Sequence, residues 1–263
     1  METLEKWWNE YDETLKRLEA VLRDYESGMN PPALVELNNV EVLRFPTQDI
    51  NHAILLKLAM VLSGANAALI LLRHGHVLEQ GALQRMIDEA NEDIRFLVLA
   101  VTNGSVTPLH ERFLTAFWAE EFGDLSDVSG SHQSREQIPR KKIRAYVSSF
   151  HPTNPSTLNH ISTVVAKAYS GFVHGAAPHL MEIYDPAKRV FRVRGMLGTS
   201  RVISSTFDFF NFVYRVTVSF AFAARAYDAS AHAAQLEREL QWLDSLREQQ
   251  DKARREMRLR GDL

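Results

Sequence analysis

Cysteine is absent from this sequence of 263 residues. Its absence excludes disulfide bonds, cysteine nucleophiles and thiolate metal sites. A chain without disulfides suits a reducing compartment. The first residues, Met-Glu-Thr-Leu-Glu-Lys-Trp-Trp, mix charged and apolar side chains and do not resemble a signal peptide. We therefore expect a cytoplasmic protein.

An uninterrupted apolar run and a strong net charge are also missing. The most apolar later stretch, 207–224, contains Asp208, Asn211 and Arg215, and charged side chains within a membrane span are costly. We expect no membrane partner. The formal net charge is −3, so charge does not support an RNA partner unless a local basic patch exists.

Short motifs that identify common enzyme classes are missing as well. The sequence has no phosphate-binding P-loop, no dinucleotide fingerprint, no His-Glu-x-x-His zinc motif and no nucleophile elbow. His74 and His76 have no third metal ligand at a typical spacing, which favours a solvated turn over a metal site. We therefore expect no metal and no cofactor.

Apolar residues recur every three or four positions along most of the chain, which predicts an all-α fold. We expect a single large helical bundle with at most a short strand or extended strap near 189–194, where Arg, Val and Phe alternate. Residues 33–45 fit a short helix and an extended segment equally well. The predicted helices span 2–27, 48–72, 77–101, 109–122, 139–150, 155–174 and 204–228, with a last helix starting at Ser230.

Three regions follow from these helices. We expect an N-terminal helical segment, 1–46, packed on a main helical domain, 47–228, and then a charged C-terminal helix, 229–263. Residues 123–137 are polar and rich in Asp, Ser and Gly, which predicts a loop, either a lid or a disordered connection. This loop does not separate independent domains, because neither side is self-contained.

The helix predicted at 155–174 is the centre of the functional interpretation. Asn154 suits the N-cap, Pro155 suits the first helical position, and Gly175 suits a left-handed end. A helical projection places apolar residues on one side: Ile161, Val164, Val165, Ala168 and Phe172. It places polar residues on the other side, one turn apart: His160, Thr163, Lys167, Ser170 and His174.

This polar row has two interpretations. It is either a solvated helix face or the lining of a site. Gly171 and Gly175 permit close approach near the end of the helix, and imidazole is suited to proton transfer near neutral pH. Pro178 is expected to start a short second helix. The predicted binding residues are Tyr169, Ser170, His160, His179 and, on the helix 77–101, Glu89.

Two further charged groups have alternative interpretations. Arg85 and Glu89 are four residues apart, so they form either an intrahelical ion pair or an anchor that orients a site residue. Arg140, Lys141, Lys142 and Arg144 form the densest basic cluster, which is either a solvated helix end or a nucleic-acid contact.

The sequence resembles uncharacterised bacterial all-helical families in two motifs. Leu-Gln-Arg-Met-Ile-Asp-Glu at 83–89 matches an Arg-x-x-x-Glu pattern, and Tyr-Ser-Gly-Phe-Val-His-Gly at 169–175 matches Tyr-Ser-x-x-x-His. The resemblance covers residues 47–228. Those families are distantly similar to HEPN domains, which are helical, often dimeric, and include metal-independent ribonucleases of toxin and phage-defence systems. The resemblance therefore implies a homodimer.

The HEPN hallmark is an arginine followed by four to six residues and a histidine. Arg144 and His151 have six residues between them, whereas the base upstream of His174 is Lys167.

Two functions remain open. The first is a non-enzymatic helical interaction or sensor module that uses the Tyr169–His174 surface, in bacterial stress or phage defence. The alternative, implied by the resemblance, is a metal-independent ribonuclease. His174 would be its general acid or base, and Arg85, Lys167 or Arg144 would stabilise the phosphorane charge; His151 is a further catalytic candidate.

Overall fold

The computed structural model describes residues 2–120, 122, 129, 135–150 and 154–260, and within them the all-α prediction is confirmed. His151 and most of the predicted loop 123–137 lie outside the described residues. The helices are α1 Glu2–Ser27, α2 Ile50–Arg73, α3 Val77–Thr102, α4 Pro108–Trp118, α5 Arg140–Ser149, α6 Pro155–His174, α7 Ala177–Leu180, α8 Ser200–Ala226 and α9 Ser230–Arg260. A 3-10 turn, Met181–Ile183, follows α7.

The core is formed by α2, α3 and α8, with α1 and α9 packed outside them. Each fully buried Leu, Ile or Phe side chain contributes about 1.5–3 kcal/mol relative to an exposed one. A buried polar chain joins three of these helices. The Tyr11 hydroxyl on α1 donates to the Thr206 carbonyl on α8 at 2.9 Å and accepts from Gln250 on α9 at 2.5 Å. Buried side chains of α1 and α9 thus belong to the same hydrophobic cluster as the main helices.

Helix α2 is long and apolar enough to cross a membrane by composition alone. Half of its most apolar window is buried inside the fold, where it packs against α1, α3 and α8. Its apolar character therefore fits a helix that packs in the core. Asp49 caps it, and its side chain accepts from the His52 backbone N–H at 2.9 Å.

A β-hairpin occupies the segment that fitted helix and extended structure equally. Strands β1 (Ala33–Leu37) and β2 (Val40–Arg44) pair antiparallel around a two-residue turn. Asn38 and Asn39 adopt φ of 51° and 62°, and asparagine tolerates this left-handed region better than most residues. The extended alternative is therefore correct for residues 33–45, and this hairpin adds a second region of extended structure to the one near 189–194.

The predicted strap near 189–194 contains only a two-residue strand. Strand β4, Val190–Phe191, pairs antiparallel with β3, Tyr184–Asp185. The Arg192 backbone N–H donates to the Ile183 carbonyl at 2.8 Å, which extends the contact by one residue. After the strap, the Met196 backbone N–H donates to the Gly75 carbonyl at 2.7 Å, which fastens the chain to the turn between α2 and α3 before α8 begins.

Local signals set the ends of α6 as expected. The Asn154 side chain accepts from the Thr157 backbone N–H at 3.1 Å, and Pro155 occupies the first turn. Gly175 ends the helix with φ 64° and ψ 39°, in the left-handed region. The helix packs mainly against α3 and α5.

Candidate functional site

The polar row on α6 faces solvent. His160, Lys167 and His174 are all exposed, and their seven-residue spacing keeps them on one side of the helix. Ser170 is half-buried. His174 lines none of the four cavities found in the described part of the chain. The three exposed groups are therefore not gathered into a pocket.

The expected apolar face of α6 was wrong by close to one residue of rotation. Val164 is 51% exposed and Ala168 is also exposed, whereas Ala166 is buried. Tertiary packing causes the difference, because α6 lies against α3 and α5 and its covered side chains include Val165, Ala166 and Tyr169. The predicted apolar stripe forms the wall of a cavity instead of entering the core.

This cavity, the Tyr169 cavity, has a volume of about 410 Å³ and lies between α3, α6, α7 and α8. Two of the predicted binding residues, Tyr169 and His179, line it. The other lining residues are Val77, Gln80 and Gln84 of α3, Val164, Val165, Ala168 and Phe172 of α6, Glu182 of the 3-10 turn, and Arg201, Ser204, Ser205 and Asp208 of α8.

Two amides form the deep wall of the Tyr169 cavity. Gln80 and Gln84 lie one turn apart on α3 and are 2% and 4% exposed. The Gln80 Nε2 is buried and has no hydrogen-bond partner among the described residues. A buried donor without an acceptor costs about 1–3 kcal/mol, so this amide favours an occupant that accepts a hydrogen bond.

Tyr169 supplies a second donor to the same space. Burial raises its pKa to about 12, so its hydroxyl stays protonated at neutral pH. No described residue hydrogen bonds to that hydroxyl. The ring packs edge-on against Phe212 with centroids 5.3 Å apart, which holds the side chain in place.

His179 is held by close packing and not by charge. Its Nε2 lies 2.8 Å from the Ala168 carbonyl oxygen, so this nitrogen is the donor. The neighbouring Phe172 ring contacts it edge-on with centroids 4.4 Å apart. Gly171 permits this approach, because a Cβ there would overlap the His179 ring, and a Cβ on Gly81 would lie 2.6 Å from Phe172.

Charged groups stand at the rim of the cavity. Arg201 pairs with Glu182 at 2.7 Å, which neutralises one carboxylate. Asp208 is 54% exposed, and its nearest cation, Arg254, is 3.8 Å away. Its concave position still removes enough water to raise its pKa, an effect that Arg254 partly offsets. Of the two rim carboxylates, Asp208 has the more distant cationic partner, so its negative charge is less well compensated than that of Glu182.

Ion pairs hold helix α5 against α3. The interpretation of its basic cluster as a solvated helix end was therefore wrong for Arg140 and Arg144. Arg144 Nε lies 2.8 Å from Glu92. Arg140 reaches Glu92 at 2.6 Å and also bonds to Asp93. Lys57 of α2 completes the group at 2.9 Å from Asp93. The Arg144 side chain therefore holds α5 against α3.

Arg85 and Glu89 form the expected intrahelical pair on α3. Glu89 also lines a separate cavity of about 390 Å³ beside α4 and α5, and its backbone carbonyl accepts from Arg140 at 2.9 Å. Neither Arg85 nor Arg144 lines the Tyr169 cavity. The predicted catalytic residues thus occupy different places in the described structure.

Sequence reasoning missed the polar groups that α3 and α8 bring to the Tyr169 cavity: Gln80, Gln84, Ser204 and Ser205. The available signal was a pair of glutamines four residues apart beside an otherwise apolar stripe. Among the described residues, no three His, Asp or Glu side chains cluster closely enough to hold a metal ion.

Comparisons with protein-family models, curated proteins and solved structures give no significant match for this chain. The site geometry is therefore the basis for function.

Proposed function

We propose that this chain is a non-enzymatic helical sensor or interaction module that binds a small organic ligand in the Tyr169 cavity. The observation that carries the proposal is Gln80, a buried amide donor without an acceptor at the base of that cavity. Buried polar groups in folded proteins are nearly always hydrogen-bonded. A ligand acceptor at Gln80 Nε2 satisfies the rule.

The lining defines the chemistry of the ligand. Val164, Ala168 and Phe172 offer an apolar wall, which suits an apolar body. Gln80 and Tyr169 offer donors, which suit a carbonyl or ether oxygen. Asp208 at the rim favours an amine or another cationic group. The ligand is thus a small amphipathic molecule with an inward acceptor and an outward positive charge.

A thermal-shift screen of small amines with apolar substituents tests this proposal. A bound ligand raises the melting temperature by mass action. Ala168→Trp fills the cavity from an exposed position and abolishes the shift, whereas Lys167→Ala, on the solvent face of the same helix, leaves it unchanged. A screen without ligands, or ligands that bind Ala168→Trp equally well, contradicts the proposal.

A metal-independent ribonuclease is the second candidate function. The exposed face of α6 favours it, because His160, Lys167 and His174 are all accessible to a long polyanion. Lys167 and His174 are separated by about 10 Å along the helix axis, so they contact successive groups of an RNA strand and not one phosphate. An RNA-cleavage assay comparing wild type with His174→Ala, with folding checked by circular dichroism, separates the two functions; equal cleavage removes His174 as the catalyst.

The resemblance to bacterial HEPN-like families extends the proposal to a cytoplasmic homodimer in stress or phage defence. Exposed apolar side chains on α7, the 3-10 turn, the strap and the loop after it support a dimer face: Leu180, Met181, Phe191, Val193 and Leu197. Sedimentation velocity measures the oligomeric state directly. A monomer at micromolar concentration contradicts the proposed homodimer.

A further inference from the structure

A smaller cavity lies on the other side of Val165, between α3, α6 and α8. It has a volume of about 150 Å³ and is called here the Arg95 cavity. The polar side chains that line it are Asp88, Asn91, Glu92, Arg95, Ser162 and Arg215. At roughly 30 Å³ per water, this volume holds a group of about five non-hydrogen atoms.

Two guanidinium groups face this cavity with buried donors. Arg215 stacks over the Phe212 ring at 4.3 Å, and Arg95 lies over Phe222 at 5.8 Å. Nε of Arg95 and both Nε and Nη2 of Arg215 are buried without a hydrogen-bond partner among the described residues. Aromatic stacking occupies the guanidinium faces and leaves their N–H edges as the recognition surface.

The carboxylates nearby do not satisfy these donors. Asp88 Oδ1 lies 2.9 Å from Arg215 Nη2, but the contact is an ion pair without hydrogen-bond alignment. Arg95 forms no ion pair within the described part of the chain. Burial and the neighbouring Arg215 charge together lower the pKa of Arg95, and the charges of Glu92 and Asp88 oppose this lowering only in part.

The wider cluster has more cations than carboxylates. Six cations and four carboxylates of α2, α3, α5 and α8 are connected by ion pairs or by close electrostatic contact: Lys57, Arg85, Arg95, Arg140, Arg144 and Arg215 with Asp88, Glu89, Glu92 and Asp93. Most of these charges are paired with one another, whereas Arg95 and Arg215 keep buried N–H groups without a hydrogen-bond partner among the described residues. Such charged donors suit an oxyanion.

We propose that the Arg95 cavity binds a small tetrahedral oxyanion, with the chemistry shared by free phosphate and the phosphate group of an ester. Arg95 and Arg215 supply charged donors, and arginine suits the geometry of phosphate oxygens. Ser162 adds a hydroxyl. Asn91 accepts from Ser219 at 2.6 Å through Oδ1, which leaves its unpartnered Nδ2 as a further donor. This site is separate from the Tyr169 cavity, and the proposal does not depend on the proposed function.

Isothermal titration calorimetry with inorganic phosphate at pH 7 and constant ionic strength tests the site. The full chain is expected to bind phosphate saturably. Arg95→Gln weakens binding at least tenfold, because a charge-assisted hydrogen bond contributes about that factor. Arg225→Gln is the matched control: Arg225 also lies over Phe222 at 5.8 Å but is exposed and does not line the cavity.

A second variant and a second ligand complete the calorimetry experiment. Arg95→Lys retains the charge and loses the planar fork, so it provides a binding measurement if Arg95→Gln does not fold; it too is expected to bind more weakly than wild type. Titration with adenosine monophosphate distinguishes the source, since binding of this ester without binding of free phosphate assigns the site to a phosphate ester. Saturable binding of neither probe, or equal affinity in wild type and the Arg95 variants, overturns the proposal.

Discussion

Replacing Asp88 with asparagine is expected to stabilise this protein at neutral pH. Asp88 lies between α3 and α8, with 13% of its side chain exposed, beside Arg215. Burial raises its pKa from 3.8 to about 6, although Arg215 acts in the opposite direction. The folded protein therefore binds this proton more tightly than the unfolded chain does, and ionisation of Asp88 destabilises the fold.

The size and sign of the effect follow from linkage. Between about pH 4 and pH 6 the folded state holds a proton that the unfolded state has released, so the contribution of Asp88 to stability falls as pH rises through this range and is constant above it. A shift of about two pH units corresponds to about 3 kcal/mol. Asp88→Asn removes the ionisation and is expected to gain up to about 3 kcal/mol at pH 7 and nothing below pH 4.

Urea unfolding from pH 4 to pH 8 measures this difference. The fluorescence of Trp7 and Trp8, which are 2% and 3% exposed in the core, reports global unfolding. Phosphate and sulfate are left out of the buffers, because an oxyanion in the Arg95 cavity would add its own stabilisation. Asp251→Asn on the exposed face of α9 is the control and is expected to change stability by less than about 0.5 kcal/mol.

The result that refutes this reasoning is a less stable Asp88→Asn protein at pH 7, or a difference from wild type that does not vary with pH. Either result means that attraction to Arg215 outweighs the cost of burying the carboxylate. The pH dependence of the difference is the decisive quantity, since subtracting the two proteins cancels the titration of all other groups that do not interact with Asp88.

Two smaller predictions concern local geometry. Gly171→Ala is expected to destabilise the fold by about 1–3 kcal/mol, because the new Cβ would overlap the His179 ring. Thermal unfolding measures this loss, and the control is Gly28→Ala, where the atom nearest to the new Cβ would be 3.6 Å away. An equal loss of stability in both variants contradicts the argument. Asn39→Val is expected to cost about 1–2 kcal/mol and Asn39→Gly much less, because φ is 62° there; equal stability of the two variants in urea excludes strain at that position.

Sequence reasoning succeeded where the determining chemistry is local. The bounds of α6 follow from a capping asparagine, a proline in the first turn and a terminal glycine, and Asn154 and Gly175 perform these roles. The Arg85–Glu89 pair also depends only on helical spacing. Such features need no knowledge of which helix lies beside which.

Sequence reasoning failed where the residues that interact are distant from one another in the chain. From the sequence, the basic cluster at the start of α5 is interpreted as solvated, because its acidic partner, Glu92, lies 48 residues before Arg140. The buried face of α6 was misassigned for a similar reason, since α3 and α5 together select which side is covered. The hairpin is a different case: helix and extended structure stayed equally open for residues 33–45, although Asn38-Asn39 between two short apolar runs is a recognisable two-residue turn that favours the hairpin.

Helix α6 connects the two proposed binding sites. Val165 lines both cavities, and the Tyr169 phenol lies within electrostatic reach of Asp208 on one side and of Arg215 on the other. Among its described side chains only Ala166 is fully buried, whereas α8 buries many large aromatic residues. Less buried apolar area makes α6 the element that opens at lower cost than the core. A ligand in either cavity contacts this weakly anchored helix, so two ligands whose affinities depend on the position of α6 alter each other's binding, and the change is reciprocal.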